Sequence, residues 1–560
     1  MFNRIKEGFG YDSHGKLVDM GKQIEKSGFV KQASILALGG IICRIIGILY
    51  KRPLSLLIGK EGIGYFTLAN NVYLMILLVA SYSIPSALSK EIAKSLAKKE
   101  YINVQRIFYC AIFYVVIVGG GASLFAYFGA TFLAEQNSVL VLKVFAPTIF
   151  LSGLVGVLRG YFQGHGSLTQ TSVSQIFEQI LNAVISIGAA YFLMQAVAKD
   201  TTTQAIFGAT GSAIGTGAGV LGAFIFMLWR YFLNRKERAQ KRMLSTEEKV
   251  ESYTTIFKNI FFTITPFILC TAIYNLNTII NQTLYIKILM YKNGLMEETV
   301  SAMYGIFAGQ AVVIANIPIA LASAMSVALI PRIASNYSLG KTKDCNQQID
   351  VAIRVTMLIA IPSAVGIAVL ALPIVSILFP LKDTMTQAAQ LLFNLSISIV
   401  FYSLSTLTNT VLQGIGKINI PVINAVFALI MQTIVLVILL ITFGGNLNVL
   451  VLASIVNAFL ICLLNQMAIK RILSYHIKWK ENFIIPIVCA SIMGGMTKLI
   501  YYVLYLVSAS NLFSIIVTIP LAVAIYFIFI IKFGAIGEKE LLSFPKGDVV
   551  IMIASKLNLL

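Results

Sequence analysis

Charged residues and histidines are scarce in this sequence. Asp, Glu, Lys and Arg make up 12% of the 560 residues, about half the share found in an ordinary soluble domain. Only three His are present, and the six Cys are scattered at unrelated spacings, so neither a metal site nor a disulfide framework is indicated. Because so few groups can act as acid, base or nucleophile, the sequence predicts a protein that is not an enzyme and has no catalytic residue or cofactor.

A nucleotide-binding glycine loop is also missing. The stretch GATGSAIGTGAG at 208–219 lacks the Gly-Lys-Ser/Thr ending of a phosphate-binding loop and lies within an apolar run, so no ATP is implied. Its Gly208, Gly211, Gly215 and Gly219 follow a small-x3-small spacing, which predicts close helix packing.

Apolar residues dominate instead, at 58% of the chain. They form runs of about 20 residues or more, the length that an α-helix needs to cross a membrane. The sequence predicts an all-α polytopic membrane protein with about 14 transmembrane helices, arranged as two six-helix lobes plus two C-terminal helices. The predicted spans are 30–58, 63–88, 104–133, 138–163, 170–196, 204–232, 256–288, 299–331, 350–379, 386–413, 418–442, 447–470, 483–507 and 511–533.

Basic residues outnumber acidic ones by 43 to 23, which gives a net charge of +20. If the N-terminus is cytoplasmic, about 33 of the 43 basic residues fall at cytoplasmic ends of the spans, as the positive-inside rule requires. The basic excess therefore indicates contact with anionic membrane lipids rather than nucleic acid. We expect a multi-pass protein of the cytoplasmic membrane with both termini in the cytoplasm.

The longest polar interruption, RKERAQKRMLSTEEKVESYT at 235–254, follows the sixth span. QGHG at 163–166 and QGIG at 413–416 each end the fourth span of their half of the chain. This recurrence favours two halves of parallel topology, as in repeat-built transporters. The predicted segments are 1–27 (cytoplasmic N-terminal segment), 28–234 (N-lobe), 235–254 (cytoplasmic linker), 255–474 (C-lobe), 475–533 (helices 13 and 14) and 534–560 (cytoplasmic tail).

Arg44 lies near the middle of the first span, in SILALGGIICRIIGILYKRPLSLLIG. A charge at that depth costs about 2.5 to 3.5 kcal/mol on insertion scales, so it should face a cavity or a partner. Its helical face also carries Gly40, Gly47 and Lys51. This face is therefore positively charged and has few bulky side chains. Arg44 is the first candidate for substrate binding, and the alternative is a structural ion pair with an acid elsewhere in the bundle.

Four further charged side chains are candidates for roles within or beside the spans. Lys51 and Arg52 are predicted to bind substrate, or else to reach the outer headgroups, and Pro53 after them predicts a break in the helix. Glu178, in span 5, is a candidate proton carrier or the ion-pair partner of Arg44. Arg159 lies close to the cytoplasmic end of span 4, where a solvated or headgroup role is expected.

Amide side chains are concentrated in spans 7 and 8. Asn275 and Asn277 lie in span 7, and Gln310 and Asn316 lie in span 8. So many amides within spans indicate either a cavity-lining face or interhelical hydrogen bonds. We interpret these four as candidate substrate-binding residues.

Four segments together resemble the stage V sporulation protein B and polysaccharide-export branch of the superfamily that also holds MurJ-type lipid II flippases and MATE drug exporters. They are CRIIGILYKRPLSLLIGKEGIGYFTLANN, IPSALSKEIAKSLAKKE, LRGYFQG and ALIPRIAS. The resemblance implies two six-helix lobes that work by alternating access, and two extra helices whose groove guides a polyprenyl tail. It also implies outward transport of a lipid-linked sugar, such as a peptidoglycan precursor, across a Gram-positive cytoplasmic membrane.

The match to the flippases is partial at individual residues. Arg44 stands at the first arginine of their Arg-x-x-Gly motif, but Tyr50 stands where the second arginine falls. Val313 and Asn316 stand where MurJ-type proteins have an arginine and an acid. The acids of a sodium site are replaced by amides such as Asn424.

Three functions compete on this evidence. A flippase for an anionic lipid-linked saccharide suits the cationic first span, because arginine binds a diphosphate through several directed donors. A MATE-type drug or cation antiporter would need a buried acid in the N-lobe, yet span 1 has Arg44 and no acid. A membrane glycosyltransferase would need an acidic outer loop, and the outer loops hold only scattered acids. We predict a flippase that acts as a monomer on a lipid-linked saccharide among membrane lipids.

Overall fold

The computed structural model describes residues 9–11, 17–19, 39–40, 42–80, 84–197, 200–243, 250–417 and 419–534. Most of the predicted N-terminal segment 1–27, nearly all of the predicted tail 534–560 and residues 244–249 of the predicted linker lie outside these residues.

The described chain is helical apart from two three-residue strands, β1 (Phe9–Tyr11) and β2 (Leu17–Asp19), which pair antiparallel. Helices dominate because a backbone in lipid must satisfy its hydrogen bonds within one segment. Residues 42–49 are helical and lead into the first long helix. The helices are α1 (Lys51–Ala80), α2 (Ile84–Ala97), α3 (Tyr101–Tyr114), α4 (Gly120–Phe128), α5 (Ala130–Leu133), α6 (Val139–Gly164), α7 (Leu168–Gln195), α8 (Thr201–Leu233), α9 (Arg235–Met243), α10 (Tyr253–Asn293), α11 (Glu297–Tyr304), α12 (Val312–Ser338), α13 (Thr342–Val369), α14 (Ala371–Leu378), α15 (Lys382–Gly414), α16 (Asn419–Phe443), α17 (Asn448–Leu473), α18 (Ile485–Ser508) and α19 (Asn511–Lys532). Short π-helical turns at Val115–Gly119 and Gly305–Ala311 join neighbouring helices, and a third at Lys480–Ile484 leads into α18. A 3₁₀ turn at Gln136–Ser138 precedes α6.

Eleven helical stretches within the described ranges are long and apolar enough to cross a membrane. They coincide with predicted spans 3 to 6 and 8 to 14. Predicted spans 2 and 7 fall on α1 and α10, which have 30 and 41 residues. Residues 30–38 and 41 of span 1 lie outside the described residues. The all-α polytopic fold is confirmed, and the total of 14 helices stays a prediction.

The chain forms two compact units. The first contains the described residues up to Ile58 together with Leu68–Ala272, and the second contains Gly59–Thr67 and the described residues from Ile273 onward. Both α1 and α10 therefore contribute residues to each unit. The division predicted at 235–254 stays a prediction.

The two QGxG motifs form the same helix ending. In α6, the Gly166 N–H donates to the Gln163 carbonyl at 2.9 Å and the Ser167 N–H donates to Phe162 at 2.9 Å. In α15, Gly416 and Lys417 repeat these bonds at 3.0 and 2.9 Å. Gly166 and Gly416 have φ of +74° and +78°, the left-handed conformation that glycine adopts without strain at a helix C-terminus. The recurrence seen in the sequence therefore corresponds to a recurrence of local structure.

The glycine face of α8 packs directly on α7. A Cβ added at Gly211 would lie 2.3 Å from the Ala190 nitrogen, and one added at Gly215 would lie 2.1 Å from the Ser186 Oγ. Larger side chains cannot occupy these positions without separating the helices. The prediction that the small-x3-small series serves packing is confirmed.

The break in the first long helix lies at Gly59, not at Pro53. The helix continues through Pro53, because the Leu54 N–H still donates to the Tyr50 carbonyl at 3.2 Å. Gly59 has φ +69° and ψ −175°, which interrupts α1 where the sequence leaves a gap between spans 1 and 2. A proline near the start of a helix needs no partner for its nitrogen, whereas only glycine readily adopts that positive φ.

Residues 59–67 pack against the π-helical turn Gly305–Ala311 inside the second unit. A Cβ at Gly64 would lie 2.5 Å from the Ser301 carbonyl oxygen, and one at Gly305 would lie 2.7 Å from the Cα of Gly64. The two backbones therefore cross with no side chain between them, as small residues allow in membrane helices.

Candidate functional site

Residues 39–40 and 42–50 run along α7 in the first unit. A Cβ at Gly39 would overlap the Ser172 side chain, and one at Gly47 would lie 3.7 Å from the Gln179 Oε1. Further along, Tyr50 lies beside Asn182 of α7. Glycines at 39 and 47 allow this approach, which fixes one face of the first span against α7.

Arg44 lies on a neighbouring face of the same helical segment. Its side chain is exposed, and within the described residues it has no ion pair and no hydrogen bond to another side chain. The alternative of a structural ion pair for Arg44 is thus not realised in the described chain. The Arg44 guanidinium, in the predicted first span, therefore remains available to a ligand.

Glu178 pairs with Arg159, not with Arg44. Its Oε2 lies 2.7 Å from the Arg159 Nη2, and the two side chains are only 23% and 15% exposed. The Nε of Arg159 also donates to the Ser174 Oγ at 2.9 Å. The expected solvated or headgroup role for Arg159 is therefore wrong. Residue 159 lies one turn inside the end of α6, so its guanidinium reaches across to α7.

Lys51 and Arg52 begin α1. Lys51 is half-buried and Arg52 is exposed, and neither forms an ion pair within the described residues. The Arg52 carbonyl accepts a hydrogen bond from the Ser55 hydroxyl at 2.9 Å. Arg44, Lys51 and Arg52 are therefore consecutive candidate cations of the first unit that have no acidic partner within the described residues.

The amide candidates lie in the second unit, in different settings. Gln310 is fully buried, and its Nε2 donates to the Thr384 hydroxyl at 3.4 Å while its Oε1 has no partner. The buried Oδ1 of Asn277 also has no partner. Asn275 is half-buried, and Asn316 is exposed. Asn346, Gln432 and Gln466 of the same unit also have buried amide oxygens without a partner, although such groups are normally hydrogen-bonded.

Other amides, which the sequence interpretation did not single out together, bind one another. Asn424 donates to Asn465 at 2.9 Å, and Asn465 donates to Asn409 at 2.6 Å, which links α16, α17 and α15. The Gln432 Nε2 donates to the buried Asn281 at 2.7 Å, which joins α16 to α10. Part of the amide content of these helices thus serves interhelical hydrogen bonding.

An apolar groove of about 630 Å³ lies in the second unit between α12–α14 and α18–α19. Its walls include Pro318, Pro362, Gly366, Ile519 and Phe527. Gly366 faces open space, since a Cβ there would meet nothing within 4 Å. The groove can hold a hydrocarbon chain but offers little to a polar molecule.

A polar cluster joins α13 to the start of α18. Asp350, whose side chain is 9% exposed, lies 3.4 Å from both the Arg354 Nη2 and the Lys478 Nζ. It also accepts hydrogen bonds from Tyr475 at 3.0 Å and from Asn482 at 2.9 Å. Burial and the nearby Asp350 charge raise the pKa of Tyr475, which keeps the phenol neutral and able to donate. Arg354 pairs in addition with Glu481.

The sequence predicts a solvated role for Arg159 and does not single out Ser174 or the Asp350 cluster. The i, i+4 spacing of Asp350 and Arg354 was visible, but their partners lie more than 120 residues away along the chain. Arg159 and Glu178 occupy consecutive spans, so their pairing depends on the register of two antiparallel helices, which hydropathy does not specify.

The sequence is similar to that of known membrane proteins. Residues 103–525 match the family model described as Lipid II flippase MurJ. The chain is 25% identical over 491 residues to the lipid II flippase MurJ of Bacillus subtilis strain 168, covering 84% of this chain and 88% of that protein. It is 21% identical over 529 residues to the stage V sporulation protein B of the same organism, covering 93% and 98%.

Solved structures share the fold. An inward-facing MATE family multidrug resistance transporter of the MOP superfamily superposes with a TM-score of 0.64 at 16% identity, covering 77% of this chain and 95% of that one. A lipid II flippase MurJ in an inward closed conformation superposes with a TM-score of 0.59 at 14% identity, covering 88% and 97%. The resemblance drawn from the sequence is confirmed. Because the family model matches well over half of its residues, this chain belongs to the MurJ family of lipid II flippases.

Proposed function

We propose that this protein is a flippase that moves an anionic polyprenyl-linked saccharide, lipid II or a related cell-wall precursor, from the inner to the outer leaflet by alternating access. The carrying observation is Arg44, a guanidinium within a membrane span that has no acidic partner in the described structure. An unpaired cation at that depth is costly unless a ligand anion compensates it. A diphosphate is the anion whose geometry the guanidinium fork fits well.

The other candidates take complementary roles in this proposal. Lys51 and Arg52 extend the cationic surface toward the outer leaflet, so the diphosphate meets positive charge along its route. Asn275, Asn277, Gln310 and Asn316 supply amide donors and acceptors for sugar hydroxyls. The buried free oxygens of Asn277 and Gln310 support this assignment, because a hydroxyl donor would satisfy them.

The function is tested by depleting the protein in its native host. We expect lipid-linked intermediates to accumulate in the inner leaflet, measured by mass spectrometry together with an assay of their accessibility at the outer surface. Normal exposure of these lipids after depletion, in a strain without a second flippase, would contradict the proposal.

We assign the apolar groove to the polyprenyl tail, and Gly366→Phe tests this role. The new Cβ would meet nothing within 4 Å and the ring would project into the groove, so the protein should fold. Transport of a long-chain substrate should fall about tenfold, the effect of losing a few buried methylenes. Flipping rates of long-chain and short-chain substrate analogues provide the measurement.

Gly495→Phe is the matched control. Gly495 is also a helical glycine with open space at its Cβ, but it does not line the groove. We expect this variant to transport both analogues at the wild-type rate. An equal fall in flipping rate in the two variants, or an equal fall for both chain lengths, would show that the groove does not bind the polyprenyl tail.

We also propose that both termini are cytoplasmic, on the basis of the basic residues. A variant without native cysteines should react with an impermeant maleimide in intact cells when it carries a cysteine at Gln136 or Asn446, and should not react when it carries one at Gln240. All three side chains are exposed, so accessibility from outside is the only difference. Labelling of the position 240 cysteine in intact cells would reverse the orientation.

A MATE-type drug or cation antiporter remains the alternative, because the MATE transporter superposes well on this chain. The described part of the first span carries a cation and no acid, which disfavours a cationic drug. Extrusion of cationic dyes by cells that express the protein, with lipid exposure unchanged, would favour the antiporter.

The membrane potential alone should drive transport. Moving about two negative charges outward through 100 mV is favourable by about 4.6 kcal/mol, provided that the binding cations stay near the midplane. In proteoliposomes of known orientation, flipping should follow a potential set by valinomycin and potassium at equal pH and equal sodium. Flipping that follows a pH gradient instead, and loses that response in Glu178→Gln, would support proton coupling.

A further inference from the structure

The guanidinium of Arg159 is anchored along one edge only. Its five N–H donors form a rigid planar fork. The Nε donates to Ser174 and one Nη2 hydrogen points to Glu178, so the edge that carries these two nitrogens is occupied. Within the described residues, the two donors on Nη1 and the second on Nη2 have no partner. An edge with two parallel donors remains open.

The two anchors are themselves held in place. The Ser174 hydroxyl is fully buried and donates to the Thr171 carbonyl at 2.7 Å, so its lone pair is directed to the Nε of Arg159. The backbone of Glu178 is pressed against α8, since a Cβ at Gly219 would lie 2.6 Å from its carbonyl oxygen. The guanidinium is therefore oriented before any ligand arrives, which reduces the entropy lost on binding.

The pair lies beside the first span. Gly39 lies against Ser172 and Gly47 against Gln179, so residues 42–46 run beside the stretch of α7 that holds Ser174 and Glu178. The same α7 residues that flank Glu178 line this span, because Gln179 approaches Gly47. Arg159 and Arg44 thus belong to one neighbourhood within the first unit.

A purely structural ion pair explains these features poorly. Linking α6 to α7 would be achieved as well by two apolar side chains, because burying a charged pair gains little over hydrophobic packing. The pair also remains 15% and 23% exposed, with donors left over. These features are typical of a ligand-binding arginine that neighbouring side chains hold in one orientation.

We propose that Arg159 is a second diphosphate contact beside Arg44, and that Glu178 and Ser174 are positioning residues that hold its open edge toward the ligand. This inference rests on the proposed function and deepens it, since two guanidinium groups select a diphosphate over a monophosphate.

The test compares two lipids of the same chain length, a polyprenyl diphosphate and a polyprenyl monophosphate, binding to the purified protein in nanodiscs. The wild type should prefer the diphosphate by about tenfold or more, the effect of one additional charge-assisted contact. Arg159→Gln should remove this preference and leave monophosphate affinity within about threefold. Arg159→Lys should restore only part of it, because lysine lacks the fork. Glu178→Gln and Ser174→Ala should reduce it less, since they only loosen the guanidinium.

A double variant, Arg159→Leu with Glu178→Leu, covers the case in which the single variants fail to fold. It leaves no unpaired charge, so it should fold while still lacking the diphosphate preference. Retention of the preference in a folded variant without Arg159 would overturn the inference and leave the proposed function standing. Failure of the wild type to bind either lipid would instead overturn the proposed function, and the inference with it.

Discussion

Arg44→Ala is expected to abolish transport while leaving the amount of protein in the membrane unchanged. Within the described chain, Arg44 has no acid to leave unpaired, so its removal should not destabilise the fold. Loss of two charge-assisted hydrogen bonds to a desolvated diphosphate should lower transport about 100-fold or more. Arg44→Lys should retain part of the activity, because the charge persists without the fork geometry.

Complementation of a depletion strain and immunoblots of its membranes provide the measurement. Lys236→Ala is the matched control, because Lys236 is an exposed cation on α9, which lies outside the candidate membrane spans. We expect wild-type complementation from it. Full activity in Arg44→Ala would reject a binding role, and loss of the protein itself would favour a structural one.

Arg354→Ala is expected to destabilise the second unit by about 3 to 5 kcal/mol, because it leaves the buried Asp350 carboxylate without its main partner. Lys478→Ala removes a second cation at the same 3.4 Å distance from that carboxylate. Lys478 is 59% exposed, whereas Arg354 is 13% exposed. Exposed ion pairs contribute about 0 to 1 kcal/mol, so Lys478→Ala should be nearly neutral.

The free energy of unfolding of both variants can be measured by denaturant titration in mixed micelles. The double variant Arg354→Met with Asp350→Asn should recover most of the loss, because no uncompensated charge remains. Equal destabilisation by Arg354→Ala and Lys478→Ala would show that burial does not set the strength of this cluster.

Most of the fold could be predicted from the sequence, because lipid imposes a simple length and polarity rule on each helix. Eleven described helices fall on predicted spans, and the QGxG and glycine patterns correspond to caps and packing faces. These features depend on residues near one another in the chain. The predicted helix break at Pro53 was wrong because a proline this near the start of a helix is tolerated. The break at Gly59 is recognised only from its backbone angles, which the sequence does not show.

Single charged residues of the candidate site could be predicted from the sequence, but their partners could not. Arg44 stood out because a charge inside an apolar run is costly whatever surrounds it. Arg159 did not stand out, because its distance from the end of α6 suggested solvent, and only the register of α6 against α7 brings it to Glu178. The Asp350 cluster likewise depends on residues 475–482 reaching back to α13.

The crossing of Gly64 with Ser301 and Gly305 has a consequence for how the protein is made. Residues 59–67 belong to the second unit, yet the ribosome produces them long before their packing partners. At about 5 to 20 residues per second, roughly 240 further residues take about 12 to 50 seconds to synthesise. During that interval the bare glycine face must remain in the bilayer without its native neighbour. Nascent chains released before Gly305 should therefore be preferred substrates for membrane quality-control proteases.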